Sequence, residues 1–241
     1  MTRRHPRLLP CGDTAFTIAF GDTIDADLNA AVLALDARLG AAALPGMLET
    51  VPAYCSLTVH CDPLAVDPAE LGRMVLAVAR SDLTAPNDGR LWRIPVVYGG
   101  AFGADLDAVA AHHGLSSDSV IARHSEPEYR VAMLGFLPGY AYLSGLDPAL
   151  ALSRRTSPRP TTPAGTISIG GAQALVASIA APSGWHLLGR TPVRSFLPGR
   201  DPVFLFEPGD RVRFEPVDPG RWDALDRAAA AGEVVGQRLD P

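Results

Sequence analysis

Along the first third of the chain, apolar residues change their spacing in a way that separates strand from helix. Ala15 to Phe20 is an apolar run of strand length. Behind it, Ile24, Leu28, Val32, Leu35 and Leu39 recur at intervals of three and four, one face of a helix that should end near Gly40. The period then falls to two: Cys55, Leu57, Val59 and Cys61 alternate with Ser56, Thr58 and His60, as on a half-buried strand, with Met47 to Val51 as its pair. Asp67-Pro68 offers an N-cap followed by a proline at the first helical position, and Leu71, Val75 and Val78 form a second stripe. Strand, helix, two strands and helix predict a small α/β sandwich domain over residues 1–84.

Between Ser81 and Arg90 the apolar period disappears, and Ala85-Pro86-Asn87-Asp88-Gly89 carries turn chemistry, so the domain boundary is expected there. A strand from Trp92 to Val97 leads into two helices, Asp105 to His113, stopped by Gly114, and Ser117 to His124. From Tyr129 to Val217, proline or glycine interrupts the chain about every eight to twelve residues between short β-branched runs. The strand candidates are Thr166 to Ile169, Ala172 to Val176, Leu187 to Thr191, Val203 to Phe206 and Arg211 to Glu215. That pattern predicts a closed or sandwiched all-β domain over residues 90–218, with Trp222 to Ala230 helical in a terminal segment, 219–241. The fold class expected is α+β.

The 241 residues suffice for two small domains, and a net charge of −5 without long runs of either sign excludes nucleic-acid binding. No apolar stretch approaches the roughly 18 residues of a membrane-spanning helix, and the Met1-Thr2-Arg3-Arg4-His5-Pro6-Arg7 start lacks a following apolar signal region. A cytoplasmic protein is expected. Cys11, Cys55 and Cys61 are an odd, sparse set that fits a reducing compartment. Cys55, His60 and Cys61 supply too few ligands for a metal and read as strand residues.

The chemistry-bearing candidates cluster in the second half. Gly135-Phe136-Leu137-Pro138-Gly139-Tyr140-Ala141-Tyr142 is an aromatic loop in which Pro138-Gly139 suits the centre of a type II turn. Phe136, Tyr140 and Tyr142 would either line a ligand pocket or cover the barrel mouth. Arg154, Arg155 and Arg159 fall within six residues, stiffened by Pro158 and Pro160. Guanidinium forks match carboxylate and phosphate oxygens, but the chain has no lysine, so arginine also serves the ordinary solvated surface. Gln173, beside the small residues of Pro163 to Ala172, would either hydrogen-bond an amide-like substrate or be satisfied in the core. Trp185 reads as a core anchor or a ligand platform, with Arg190 five residues on. His112, His113, His124 and His186 are candidates for acid–base chemistry, although His124, at a helix end, also suits the helix dipole. No nucleophile elbow, phosphate loop, metal-ligand cluster or dinucleotide fingerprint is present.

Taken in order, Ser125-Glu126-Pro127-Glu128-Tyr129, Met133 through Tyr140, Gly145-Leu146-Asp147-Pro148, Arg154-Arg155, Pro158-Arg159, Pro163-Ala164-Gly165 and Trp185 through Pro192 resemble the 5-oxoprolinase B-subunit / allophanate hydrolase subunit 1 (Kip inhibitor) family. Leu44-Pro45-Gly46, Ser56-Leu57, Pro95 through Gly100 and Ala111 through Leu115 extend the resemblance over about residues 10–217. Each motif is weak alone; their order makes the set specific. The resemblance implies an N-terminal α/β domain and a C-terminal cyclophilin-like β-barrel. It further implies ATP-driven opening of the 5-oxoproline lactam to glutamate, with ATP and Mg bound by or shared with a partner. The partner would be a homologous barrel protein (the 5-oxoprolinase C-subunit, or allophanate hydrolase subunit 2), and in the 5-oxoprolinase system also the A-subunit.

Under that reading His124, Arg155 and Arg159 would act in catalysis, and Tyr142, Gln173, Trp185 and Arg190 would bind substrate. The alternatives are an allophanate hydrolase or urea-carboxylase-like subunit, or a non-catalytic inhibitor of a sensor histidine kinase. The chain departs from the family pattern at Ala132, where an aromatic is common, at Ala174 through Ser178, where Thr-Gly and Tyr-Pro are usual, and at Ser183, where glycine is usual. These positions put substrate identity in question more than fold.

Overall fold

The computed structural model describes residues 5–81, 83 and 89–239, so most of the expected 81–90 linker lies outside the described residues. The chain divides into two compact units, residues 1–87 and 88–241.

The first unit runs β1 (Arg7–Pro10), β2 (Ala15–Ala19), α1 (Ala26–Ala42), β3 (Met47–Pro52), β4 (Ser56–Cys61) and α2 (Pro68–Ala79). Its sheet is antiparallel in the order β1-β2-β4-β3. The two-residue alternation lands as expected: Leu57, Val59 and Cys61 are buried, while Ser56, Thr58 and His60 are half-buried. Helix α1 starts where the Asp25 carboxylate accepts the Leu28 N–H at 2.9 Å, which leaves Ile24 ahead of the helix and 42 % exposed, outside the stripe. The helix also runs through Gly40 and stops at Ala43, which takes φ 44. Asp67 caps α2 by accepting the Ala69 N–H at 2.9 Å, with Pro68 at the helix start. Val32, Leu35 and Leu39 of α1 and Leu71 and Val75 of α2 join Ile18, Leu57 and Val59 in one core.

The second unit opens with β5 (Leu91–Tyr98), α3 (Leu106–His113) and α4 (Ser117–Ser125). Strands β6 (Tyr129–Leu134), β7 (Ala141–Ser144), β8 (Arg159–Thr162), β9 (Thr166–Gly170), β10 (Gln173–Val176), β11 (Ala181–Ser183), β12 (His186–Arg190) and β13 (Arg211–Pro216) follow, then α5 (Trp222–Ala230) and β14 (Gln237–Leu239). Neighbours β12-β9-β10-β7-β6-β13-β5 form a ring, closed where Gly189 and Arg190 of β12 pair with Tyr98 and Val97 of β5. The result is a seven-stranded barrel, with β13 parallel to β5. Inward positions pack Ile94, Val96, Tyr129, Val131, Leu143, Ile167, Ile169, Leu188 and Phe214 into one core, closed by Val109 of α3 and Val120 of α4. Strands β8 and β11 form a separate pair outside the ring.

Three expectations are corrected here. The aromatic loop contains β7, whose alternating buried Ala141 and Leu143 were readable as a two-residue period. Val203 to Phe206 is not a strand: between Pro202 and Pro208 it makes only a bridge, Phe196 to Phe204, and two backbone bonds to residues 195–197. Beyond α5 the terminal segment is not only helical, because β14 adds to the outer side of β5.

One buried carboxylate ties the start of β5 to the start of β13. Asp210, 2 % exposed, accepts from the Arg90 N–H, Nε and Nη2, from Trp92 Nε1 and from the Glu207 N–H at 2.6–3.2 Å. A buried charge is tolerable only when its lone pairs are satisfied in this way.

Candidate functional site

Outward-facing residues of four barrel strands form a row, Tyr142 on β7, Leu175 on β10, Ser168 on β9 and Leu187 on β12. Over one end of that row stands the aromatic loop. Pro138-Gly139 forms the expected turn, with Gly139 at φ 74 and the Leu137 C=O accepting the Tyr140 N–H at 3.1 Å. Just before it, the Gly135 C=O accepts the Leu137 N–H at 2.9 Å around Phe136. Phe136 itself has φ 69, a left-handed conformation that costs a bulky residue strain and leaves its ring 66 % exposed. The loop is pinned from beneath: Ser178 Oγ donates to the Pro138 C=O, and the Tyr140 hydroxyl donates to the Ile179 C=O at 2.9 Å. Burial pushes the Tyr140 hydroxyl up to about 12.

Trp185, immediately before β12, lies over the backbone of β9 at Gly170, where the missing side chain makes room for the indole. It is only 6 % exposed, yet it borders the pocket, so the anchor and the platform roles coincide. Its ring meets Tyr142 edge to face at 5.9 Å, and the Arg154 guanidinium sits over its face at 5.6 Å from the centroid. Burial raises the Tyr142 hydroxyl, against the lowering effect of nearby Arg154, so Tyr142 is a hydrogen-bond donor at neutral pH and not a base. Phe136, Tyr142, Arg154, Arg155, Leu175, Ser183 and Trp185 line a cavity of about 270 Å³. A cation over an aromatic wall, with apolar surface opposite, suits a small carboxylate-bearing or otherwise anionic ligand. A wider surface cleft of about 600 Å³ is lined by Ser119, Arg123, Glu126 and Asp147. There Arg123 is already paired with Asp147 at 2.9 Å, and Glu126 adds a negative charge.

Arg155 borders the cavity and Arg159 does not, and neither guanidinium is free. Both donate to Asp105, a residue the sequence had marked only as a helix start. Asp105 Oδ1 accepts from Arg155 Nη1 at 3.2 Å and Arg159 Nη2 at 2.7 Å, and Oδ2 accepts the Leu187 N–H at 2.8 Å. Burial by itself would raise the Asp105 carboxyl, but the bonds from Arg159 and Leu187 and the two positive charges outweigh it and hold the group below its ordinary range. No helix periodicity joins positions fifty residues apart, and the only sequence signal was the density of arginine.

The other candidates stand elsewhere. His124 is 0 % exposed, with Nδ1 bonded to the Tyr98 hydroxyl at 2.8 Å and its ring stacked on Phe214 at 4.7 Å. Burial lowers it to about 3, so the imidazole is a neutral core group, and it is not among the residues lining the cavity. Arg190 donates through Nε and Nη2 to the Ala164 C=O and lies over the Trp222 ring at 4.7 Å, holding the end of β12 to α5 and not facing the cavity. Gln173, half-buried at the start of β10, is not among the residues lining the cavity. Of the departures from the family pattern, Leu175 and Ser183 line the cavity, whereas Ala132, Ala174 and Ala177 are buried. Among the described residues no group of three or more His, Cys, Asp or Glu is placed to hold a metal, and no helix is long and apolar enough to cross a membrane.

Comparison with known proteins agrees with this architecture. Residues 6–206 match the model of the carboxyltransferase domain, subdomain C and D. The 5-oxoprolinase B-subunit of Bacillus subtilis (strain 168) is 38 % identical over 225 residues, 89 % of this chain and 93 % of that protein. The crystal structure of TTHA0988 superposes with a TM-score of 0.75 at 38 % identity over 85 % of this chain, which spans 40 % of that longer chain. The Kluyveromyces lactis urea amidolyase shares the fold, with a TM-score of 0.83 at 16 % identity over 98 % of this chain, which spans 16 % of that protein. A ring-closed barrel that follows a small α/β unit in the sequence, matched along nearly its whole length at this identity, makes the chain a member of the 5-oxoprolinase B-subunit family of carboxyltransferase-type domains.

Proposed function

We propose that this chain is the substrate-binding barrel component of an ATP-dependent 5-oxoprolinase, and that the Arg154–Trp185 pocket receives the small lactam. The observation that carries the reading is the guanidinium held over the indole at the mouth of a cavity of about 270 Å³. 5-Oxoproline has one carboxylate, matched by Arg154, and a flat five-membered ring, matched by the faces of Tyr142 and Trp185. Its lactam oxygen can accept from a tyrosine hydroxyl that stays protonated. Aromatic walls also exclude bulk water and strengthen each polar contact inside.

This pocket suits the lactam better than a magnesium nucleotide. The lining supplies no carboxylate, and the volume lies below the roughly 300–1,000 Å³ of pockets for larger ligands. We therefore assign the nucleotide to a partner, either the homologous barrel of the C-subunit type or the A-subunit, and the binding and orienting of the lactam to this chain. A cytoplasmic location fits a reaction that consumes ATP.

The test is to co-express the chain with its homologous barrel and A-subunit partners and to measure 5-oxoproline-dependent release of ADP and glutamate. Equal release of both products, with KM for 5-oxoproline raised about tenfold in Arg154→Ala, is the expected result; one charge-assisted hydrogen bond is worth that much. A complex that assembles and hydrolyses ATP without regard to 5-oxoproline would overturn the substrate. A second reading, a non-catalytic binding role, draws on the exposed apolar side chains Phe136, Val203 and Phe204. It predicts a stable complex with no turnover.

A further inference from the structure

We infer that Asp105 is the positioning residue of the pocket: from behind the wall, and without touching the ligand, it fixes Arg154 over Trp185. The inference rests on the preceding reading for what Arg154 is used for, but not for how Arg154 is held.

An aspartate at a helix N-cap ordinarily spends its side chain on that helix's own free N–H groups. Asp105 occupies the N-cap of α3, with φ −108 and ψ 0, and makes no such bond. Both its oxygens reach away from the helix. One takes Arg155 and Arg159, and the other takes the Leu187 N–H. The Asp105 N–H returns to the Leu187 C=O at 3.0 Å, and the Arg155 N–H bonds the Gly184 C=O at 2.7 Å. A 4 % exposed carboxylate therefore joins three segments: the start of α3, residues 155–159 and the start of β12.

The two members of the cation–aromatic pair hang from two of those segments. Arg154 is the neighbour of Arg155, and Trp185 stands two residues before Leu187. Arg154 is exposed and Trp185 buried, so the indole is set by packing whereas the guanidinium depends on its backbone being held. Arg159 Nη1 is already buried without a partner. Without Asp105, two clustered guanidinium groups would face each other uncompensated and push the 154–159 segment outward.

Two measurements test this. On the full chain, the Arg154 Nε–Hε resonance, assigned by its loss in Arg154→Ala, should carry a ring-current shift from Trp185. In Asp105→Asn that shift should collapse while the backbone amide spectrum stays dispersed, and Asp105→Glu should restore part of it. An unchanged Arg154 shift in a folded Asp105→Asn protein overturns the proposal whatever the substrate proves to be. If Asp105→Asn does not fold, the same shift is read in the double variant Arg155→Gln, Arg159→Gln, which removes both guanidinium contacts of the carboxylate; a shift unchanged there overturns the proposal as well.

In the reconstituted complex, Asp105→Asn should raise KM for 5-oxoproline about tenfold with kcat within about twofold, and should add nothing in the Arg154→Ala background. Additive effects overturn the coupling through Arg154. Failure of the wild-type complex to use 5-oxoproline removes the substrate assignment and leaves the resonance test standing.

Discussion

A Cβ placed on Gly170 would stand 2.7 Å from Cδ2 of Trp185 and within 2.9 Å of two more indole atoms. Strand β9 and the indole are therefore complementary in shape, and the room left by the missing side chain is taken up by the protein's own indole. Gly170→Ala should push the indole away from the sheet and open its contact with Tyr142. Overpacking of this kind costs about 1–3 kcal/mol. A urea titration should show that loss, accompanied by a changed near-ultraviolet tryptophan signal and weaker 5-oxoproline binding. A protein of unchanged stability and spectrum would mean that the ring does not rest on β9.

Phe136 holds a backbone conformation suited to glycine while presenting its ring to solvent. Phe136→Gly should remove strain worth about 1 kcal/mol and raise the urea midpoint, yet widen the pocket mouth and raise KM for 5-oxoproline. Stability and affinity moving in opposite directions is the signature expected of strain kept for a purpose. If stability and affinity both rise, the ring has no part in binding.

Arg154 and Arg190 each lie over a tryptophan, and they should behave differently. Arg190→Ala removes two bonds to the Ala164 C=O and the packing on Trp222. It should cost about 2 kcal/mol of stability with KM unaltered. Arg154→Ala should leave the urea midpoint nearly unchanged and raise KM. The pair is measured by denaturation and steady-state kinetics on the same preparations.

His124 gives the barrel a one-sided pH response. The unfolded imidazole takes up a proton near 6.5, whereas the buried one resists until about 3. Between those values protons bind the unfolded chain better, so stability is complete above pH 6.5 and falls as the pH drops. The ring neighbours Tyr98 and Tyr129 stay neutral across this window, because burial raises both hydroxyls. From pH 7 to pH 5 the loss should be about 2 kcal/mol, and His124→Gln should flatten that slope. Asp105 acts lower: its carboxyl is held below the ordinary value, so its contribution persists at pH 5 and is lost only as the pH falls further.

Much of the fold was legible because it depends on local rules. The Asp67-Pro68 cap, the stop at Gly114, the alternation in β4 and the extent of α5 all follow from chemistry within a few residues. Strand β14 was not legible, since three residues after a helix carry no period of their own and acquire one only by pairing with β5. The pocket was half visible. Tyr142 and Trp185 stood out as large aromatic groups, but adjacent arginines are equivalent on paper. Only the tertiary fold turns Arg155 toward Asp105 and leaves Arg154 over the indole. The burial of His124 was hidden for the converse reason: its position at a helix end suited the helix dipole, and nothing local showed that Tyr98, Tyr129 and Phe214 enclose it.

Strand β5 bonds to β14 and β12 on one side and to β13 along the other. It is the first barrel strand to leave the ribosome, and all three of its partners come much later. At roughly 5–20 residues per second of synthesis, its hydrogen-bonding edges wait on the order of ten seconds before Arg211 emerges. During that interval Trp92, Ile94, Val96 and Val97 form an apolar ribbon with no mate. The nascent barrel thus exposes an unpaired strand edge until β12, β13 and β14 have been made.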